Sequence, residues 1–187
     1  MILDAAKIVS AGGVIAFRTD TFYGLGADPF NARAVARIRE LKGREENKPI
    51  LLLLSDAGVA DRFIADRSQA FEEVARKFWP GPLTIVGAAV PALPSEITAD
   101  TGTVGVRVPA DSDVRELVRA CGGALTATSA NPSGREAARS AQQVRDYFPE
   151  GIDLIVDSGE VTATEPSTVL DVTTVPPRVV RRGAINL

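Results

Sequence analysis

Apolar residues at helical spacing run from Ile2 to Ala11 and stop at Gly12-Gly13, which predicts a helix followed by a strand over Val14 to Phe17. Asn31 has the chemistry of an N-cap. The helix it opens puts Ala34, Val35, Ile38 and Leu41 on one face, with Arg33, Arg37 and Glu40 elsewhere, and Gly43 ends it just past Lys42. Ile50 to Leu54 is an unbroken apolar run of strand length, bounded by Pro49 and Ser55-Asp56. Between these elements, Thr19 to Gly26 reads as a hydroxyl-rich loop, and Lys42 to Pro49 as a basic turn.

The alternation continues downstream. A helical stretch is expected around Val59 to Ile64, and Ser68 caps another through Phe71, Val74 and Phe78 until Trp79-Pro80-Gly81-Pro82 breaks it. Leu83 to Ala89 reads as a strand, Pro91 to Thr103 as a loop, and Val104 to Val108 as a short alternating strand holding Arg107. A helix over Asp111 to Ala120, a strand over Ala124 to Thr128 and a Ser140-capped helix to Phe148 follow. Strands over Leu154 to Val156, Thr168 to Val172 and Arg178 to Arg181 complete the pattern. Alternating strands and helices with paired strands at the end predict an α/β fold with one mixed sheet and flanking helices. No repeat and no domain boundary interrupts it, so residues 1–187 are expected to form a single domain.

Composition narrows the chemistry. At 187 residues and 45% hydrophobic content the chain is large enough to bury a core. It has no apolar run of membrane-spanning length and no signal-type start, so a soluble cytoplasmic protein without membrane contact is the expectation. Cys121 is the one cysteine, which excludes an internal disulfide and a thiolate zinc cluster; it reads as a small buried hydrophobe. Histidine is absent, which removes imidazole bases, Ser-His and Cys-His nucleophiles and imidazole metal sites. Any catalysis must therefore use cations, carboxylates, hydroxyls, backbone amides or a bound metal. A net charge of −3 speaks against a wholly basic polyanion-binding surface. Yet Arg18, Lys42, Arg44, Lys48, Arg107, Arg181 and Arg182 all fall in loops or at strand ends, a pattern that favours a small anion in a local pocket.

Polar clusters stand at the predicted strand ends: Thr19-Asp20-Thr21-Phe22-Tyr23-Gly24-Leu25-Gly26, Lys42-Gly43-Arg44 with Lys48-Pro49, Trp79-Pro80-Gly81-Pro82-Leu83-Thr84, Val104 to Pro109, Thr128 to Gly134, and Pro166 to Val169. Six such motifs in this order, with compatible spacing from about Gly12 to Gly183, resemble the YrdC family. The resemblance implies a twisted sheet whose concave face holds a basic cavity. It also implies a nucleotidyltransferase activity: members that stand alone are threonylcarbamoyl-AMP synthases, which join L-threonine, bicarbonate or CO2, and ATP, release pyrophosphate, and feed a tRNA-modifying transferase complex. Magnesium is expected with ATP, and no protein metal ligand stands out. Direct contact with tRNA is left open.

Carried over position by position, the resemblance implies that Lys42 and Arg44 act on the triphosphate as the catalytic cations. Thr21, Arg107, Ser129 and Ser167 would hold threonine, and Arg44, Lys48, Thr103, Asn131 and Arg181 would hold ATP. Taken alone, basic residues after a helix are also what the helix dipole favours, and Asp20 is equally an Asx-turn residue. Adjacent strand positions face opposite ways, so of Arg181 and Arg182 one faces the pocket, and the expectation is Arg181. Three positions depart from the family pattern: Arg18 stands in place of proline, Leu53 in place of a histidine of longer members, and Arg139 at a nucleotide contact of some members. The chain resembles the short, single-domain type.

Two competing readings remain. One is a non-catalytic RNA-binding module using the same basic concavity, against which stand the net acidity and the ten aromatic residues without a stacking stripe. The other is a carbamoyl-transfer domain of the kind found inside larger hydrogenase-maturation proteins.

Overall fold

The computed structural model describes residues 1–43, 48–163 and 165–187. Among them, β1 (Ile15–Arg18), β2 (Tyr23–Gly26), β3 (Leu51–Leu54), β4 (Leu83–Ala88), β5 (Thr103–Arg107), β6 (Ala124–Ser129), β7 (Leu154–Val156), β8 (Thr168–Asp171) and β9 (Arg178–Arg181) form one sheet. Its order is β7-β1-β2-β6-β3-β5-β4-β8-β9. The pairs β1/β7, β3/β5 and β4/β8 are parallel and the remaining neighbours antiparallel, so the sheet is mixed as expected. Strand β6 joins its two halves. Its first four residues pair with β3, and Thr128 and Ser129 pair with Leu25 and Gly24 of β2.

The helices begin where polar side chains meet orphan backbone amides. In α2 (Ala32–Leu41) the Asn31 carboxamide accepts from Ala34 N at 3.1 Å, and in α3 (Gln69–Phe78) the Ser68 hydroxyl accepts from Phe71 N at 3.2 Å. Asp111 caps α5 (Ser112–Ala120) through Asp113 N at 2.9 Å, and Ser140 caps α6 (Ala141–Tyr147) through Gln143 N at 3.2 Å. Each such cap is worth about 1 kcal/mol. The first helix is α1 (Ile2–Ser10), and α4 (Ser95–Thr98) is a single short turn.

Alternation along the strands sends side chains to two separate cores. On one face Val14, Ala16, Leu52, Leu54, Ile85 and Val106 pack with residues of α2, α3 and α6 such as Ile38, Phe71 and Val144. On the other, Ile15, Phe17, Leu53, Leu125 and Val156 pack under Ala5 and Val9 of α1 and Val114, Leu117 and Val118 of α5. Both helices of the second face stand over β7, β1, β6 and β3. The same face of β5, β4 and β8 carries Gly105, Arg107, Thr84, Val86 and Val169, which line the cavity described below.

Three local expectations are corrected. Tyr23–Gly26 is a strand, paired with β1 from Ile15↔Gly26 to Arg18↔Tyr23, because ladder hydrogen bonds on both of its edges outweigh the weak strand preference of two glycines. The span expected to be loop between Pro91 and Thr103 contains α4. The helical stretch expected around Val59 to Ile64 is a 3-10 helix over Ala57–Arg62, started by Asp56 accepting from Gly58 N at 3.1 Å. No helix among the described residues is long and apolar enough to cross a membrane.

Candidate functional site

The turn between β1 and β2 builds one wall. Thr19 Oγ1 accepts from Thr21 N at 3.1 Å and Phe22 N at 3.2 Å and donates to Phe22 O at 2.6 Å, so one hydroxyl closes the turn. Thr21 is thereby fixed with its own hydroxyl 3.1 Å from that of Thr19 and 3.5 Å from Arg107 Nη2. Asp20, between them, accepts from Ala110 N at 3.1 Å through Oδ2 and holds Arg107 Nη1 at 3.0 Å from Oδ1.

Arg107 ends β5 with only 3% of its surface exposed. Its contact with Asp20 is an ion pair out of hydrogen-bond alignment, and its Nε and Nη1 have no hydrogen-bond partner. Burial pushes its pKa down, Asp20 opposes this, and the positive charge of Arg181 pushes the same way as burial. Arg181 is likewise lowered by burial. A guanidinium whose charge is disfavoured by burial and by the nearby Arg181 makes an environment that an anion would relieve.

Arg181, at the end of β9, donates from Nε and Nη2 to Ser167 O at 3.1 and 2.9 Å, and from Nη2 to Ser167 Oγ at 2.9 Å. The Ser167 hydroxyl also lies 2.9 Å from Thr84 Oγ1 on β4. Thr84, Ser167 and Arg181 thus form a continuous polar row from β4 through the residue that precedes β8 to β9.

These residues line a cavity of about 660 Å³ together with Lys48, Leu51, Gly105, Ala127, Thr128 and Ser129. The floor is kept low by small side chains. At Gly105 a Cβ would lie 3.1 Å from Thr84 Cγ2, so a larger residue there would press on the polar row and fill the space. Of the described residues on the wall, Lys48, Arg107 and Arg181 are cationic and none is acidic. The volume falls within the range of small-molecule sites.

The structure therefore brings Thr21, Lys48, Arg107, Ser129, Ser167 and Arg181 to one cavity. Lys42 and Asn131 stand behind its wall. The buried Lys42 Nζ donates to Ser129 O, to Asn131 O at 2.9 Å and to Asn131 Oδ1 at 3.4 Å, while Asn131 Nδ2 donates to Pro132 O at 3.0 Å and Arg135 O at 2.6 Å. Lys42 O in turn accepts from Ser133 N at 2.9 Å, so the end of α2 and the loop after β6 are fastened together. Thr103 shares the cavity face of β5 but sits at its far end, its hydroxyl 2.9 Å from that of Thr101. Arg44 lies outside the described residues.

The three departures have plain structural roles. Arg18 pairs with Asp111 at 2.7 Å, tying the end of β1 to the cap of α5. Leu53 is fully buried beside Arg107 in the β3/β5 register. Arg139 donates to Ala163 O at 2.9 Å and lies over the Phe22 ring, 5.7 Å from its centroid. Sequence reasoning missed Thr19 and Thr84 and left Asp20 undecided. The signal for the first two was their place inside motifs already noted, one hydroxyl preceding Asp20 and one closing the Trp79 to Thr84 stretch. Among the described residues no cluster of three carboxylate, cysteine or histidine side chains could hold a metal ion.

The family model Sua5_yciO_yrdC, described as "Telomere recombination", matches residues 7–183. A threonylcarbamoyl-AMP synthase of Pyrococcus abyssi is 36% identical over 98% of this chain, which spans only 54% of that relative's length. One from Halorhodospira halophila is 39% identical over 89% of this chain and 87% of its own. Among solved structures, P. abyssi Sua5 complexed with L-threonine superimposes with a TM-score of 0.93 over 97% of this chain and 54% of that one, at 36% identity. E. coli YciO superimposes with a TM-score of 0.88 at 27% identity, over 99% of this chain and 90% of that one. With the model matched over nearly its whole length and relatives well above 30% identical, the chain belongs to the Sua5/YciO/YrdC family.

Proposed function

We propose that this chain is a threonylcarbamoyl-AMP synthase: it forms threonylcarbamoyl-adenylate and pyrophosphate from L-threonine, bicarbonate or CO2, and ATP. The buried, under-satisfied Arg107 on the wall of a hydroxyl-lined cavity carries the reading. A guanidinium with unused donors is suited to the planar carboxylate of an amino acid, which would supply the charge that Asp20 only partly offsets. Thr21, Ser129 and Ser167 line the same cavity and offer hydroxyls to an amino acid that itself carries one.

In this reading the amine of threonine becomes a carbamate, a carbamate oxygen attacks the α-phosphorus of ATP, and the bond to the leaving pyrophosphate breaks. Negative charge gathers on all partners, so the requirement is proximity and fixed positive charge rather than a histidine base. Arg181 and Lys48 would face the phosphates. Lys42 would act by holding the loop after β6 in place, its ammonium already engaged by Ser129 and Asn131, and Asn131 would shape that loop. Thr103 would reach only the outer part of a nucleotide. Arg44, two residues beyond Lys42, is proposed as the further phosphate ligand on the sequence pattern alone. Magnesium would arrive as MgATP, a substrate whose phosphates and waters supply most of its ligands.

We place the product upstream of a tRNA-modifying transferase, since a carbamoyl-adenylate is an activated donor that a group-transferring enzyme must consume. Incubation with MgATP and bicarbonate should release pyrophosphate only when L-threonine is added. Release without threonine, or none with it, would defeat the assignment. A module that binds RNA on this surface would instead show steeply salt-dependent RNA affinity insensitive to threonine.

A further inference from the structure

A second cavity, of about 450 Å³, opens between α3 and α5 at the carboxyl ends of the parallel strands β3 and β5. It shares no lining residue with the first. Its position is one where α/β sheets collect ligands, because loops diverge there and leave a crevice.

Its lining includes three arginines, Arg76 from α3 and Arg115 and Arg119 from α5, together with Trp79 and the acidic residues Asp56 and Glu72. The carboxylates are already engaged. Asp56 accepts from Ser55 Oγ at 2.9 Å and Gly58 N at 3.1 Å, and Glu72 pairs with Arg67 at 2.6 Å. Arg115 gives Nη1 to Pro109 O at 2.8 Å and Ala110 O at 2.7 Å, which fixes its plane and leaves Nε and Nη2 for another acceptor. Among the described residues Arg76 and Arg119 make neither an ion pair nor a side-chain hydrogen bond. Positive charge is thus in excess where the acids are spent.

We propose that this second cavity is a binding site for a small phosphate-bearing anion. Three guanidinium forks from two helices suit a tetrahedral group with several oxygens better than a two-oxygen carboxylate. The volume admits a group larger than inorganic phosphate, and the Trp79 side chain supplies an apolar wall for it. The proposal is independent of the chemistry assigned to the first cavity.

Trp79 is the one tryptophan of the chain, so its fluorescence reports on this cavity directly. Inorganic pyrophosphate titrated into the protein without threonine or ATP should change that fluorescence saturably. The double substitution Arg76→Ser with Arg119→Ser, at exposed positions outside both cores, should weaken the apparent affinity by roughly tenfold or more, as for loss of charged hydrogen bonds. Arg181→Ala, in the first cavity, should leave it unchanged. A change reproduced by sodium chloride at matched ionic strength overturns the proposal, as does one insensitive to the double substitution or abolished by Arg181→Ala. The absence of any saturable change does the same.

Discussion

Asp20 holds Arg107 from below the cavity: its Oδ1 lies 3.0 Å from Nη1 while its Oδ2 is occupied by Ala110 N at 3.1 Å. The carboxylate is anchored before it meets the guanidinium, so it sets where that guanidinium points. Asp20→Asn keeps an acceptor for Ala110 but removes the charge. It should raise KM for threonine by roughly tenfold to a hundredfold, the low end of what removing one partner of a buried charge pair costs, with a smaller effect on KM for ATP. Equal changes in both constants would argue against a threonine-side role.

Thr84 is joined to Ser167 at 2.9 Å, and Ser167 to Arg181. Thr84→Val preserves shape and deletes the hydroxyl, leaving the Ser167 side chain with one partner fewer. Steady-state kinetics should show kcat/KM falling by about fivefold, the worth of one neutral hydrogen bond, and the urea midpoint should move little. An unchanged kcat/KM would remove Thr84 from the polar row that matters.

Lys42 illustrates how far the sequence could be read. Its place past the last turn of α2 was legible from the apolar spacing and from Gly43, and so were the caps at Asn31, Ser68 and Ser140, because these are local effects of a side chain on its own backbone. Where the Lys42 ammonium goes was not legible, since its acceptors are carbonyls far along the chain whose direction depends on the sheet. For the same reason β2 was hidden: Tyr23-Gly24-Leu25-Gly26 has a loop-like composition and becomes a strand only between two partners. The hydroxyls of Thr19 and Thr84 gain meaning through contacts with Phe22 and Ser167 that no spacing rule announces.

A corresponding test follows for that lysine. Lys42→Met should destabilise the fold by about 2–4 kcal/mol in urea unfolding, since buried acceptors on Ser129 and Asn131 lose their donor. Activity should fall together with order in the loop after β6, visible as faster amide exchange at residues 130–134. Loss of activity with stability and exchange unaltered would instead mean that the ammonium itself meets the substrate.

Asp153 offers a pH test away from the cavity. Its carboxylate accepts from Arg37 at 2.7 and 3.0 Å and from Val14 N at 2.7 Å. The Arg37 hydrogen bonds hold its pKa below the ordinary 3.8, burial opposes them, and the Val14 amide adds to the lowering. A lowered pKa in the folded state means the stabilisation is complete above the unfolded value and is lost as pH falls through the folded one. Asp153→Asn should therefore cost about 1 kcal/mol near neutrality, given how exposed the pair is, and the difference from the parent should shrink below pH 3.8. A difference that stays constant into acid would assign the stability to shape rather than charge.

The most direct test of the central claim is a crystal structure with L-threonine and a non-hydrolysable ATP analogue. The expected result is the threonine carboxylate in hydrogen-bond contact with Arg107, the amino acid beside Thr21 and Ser167, and the phosphates toward Arg181 and Lys48. Threonine bound elsewhere, or nucleotide and amino acid in separate cavities, would contradict it.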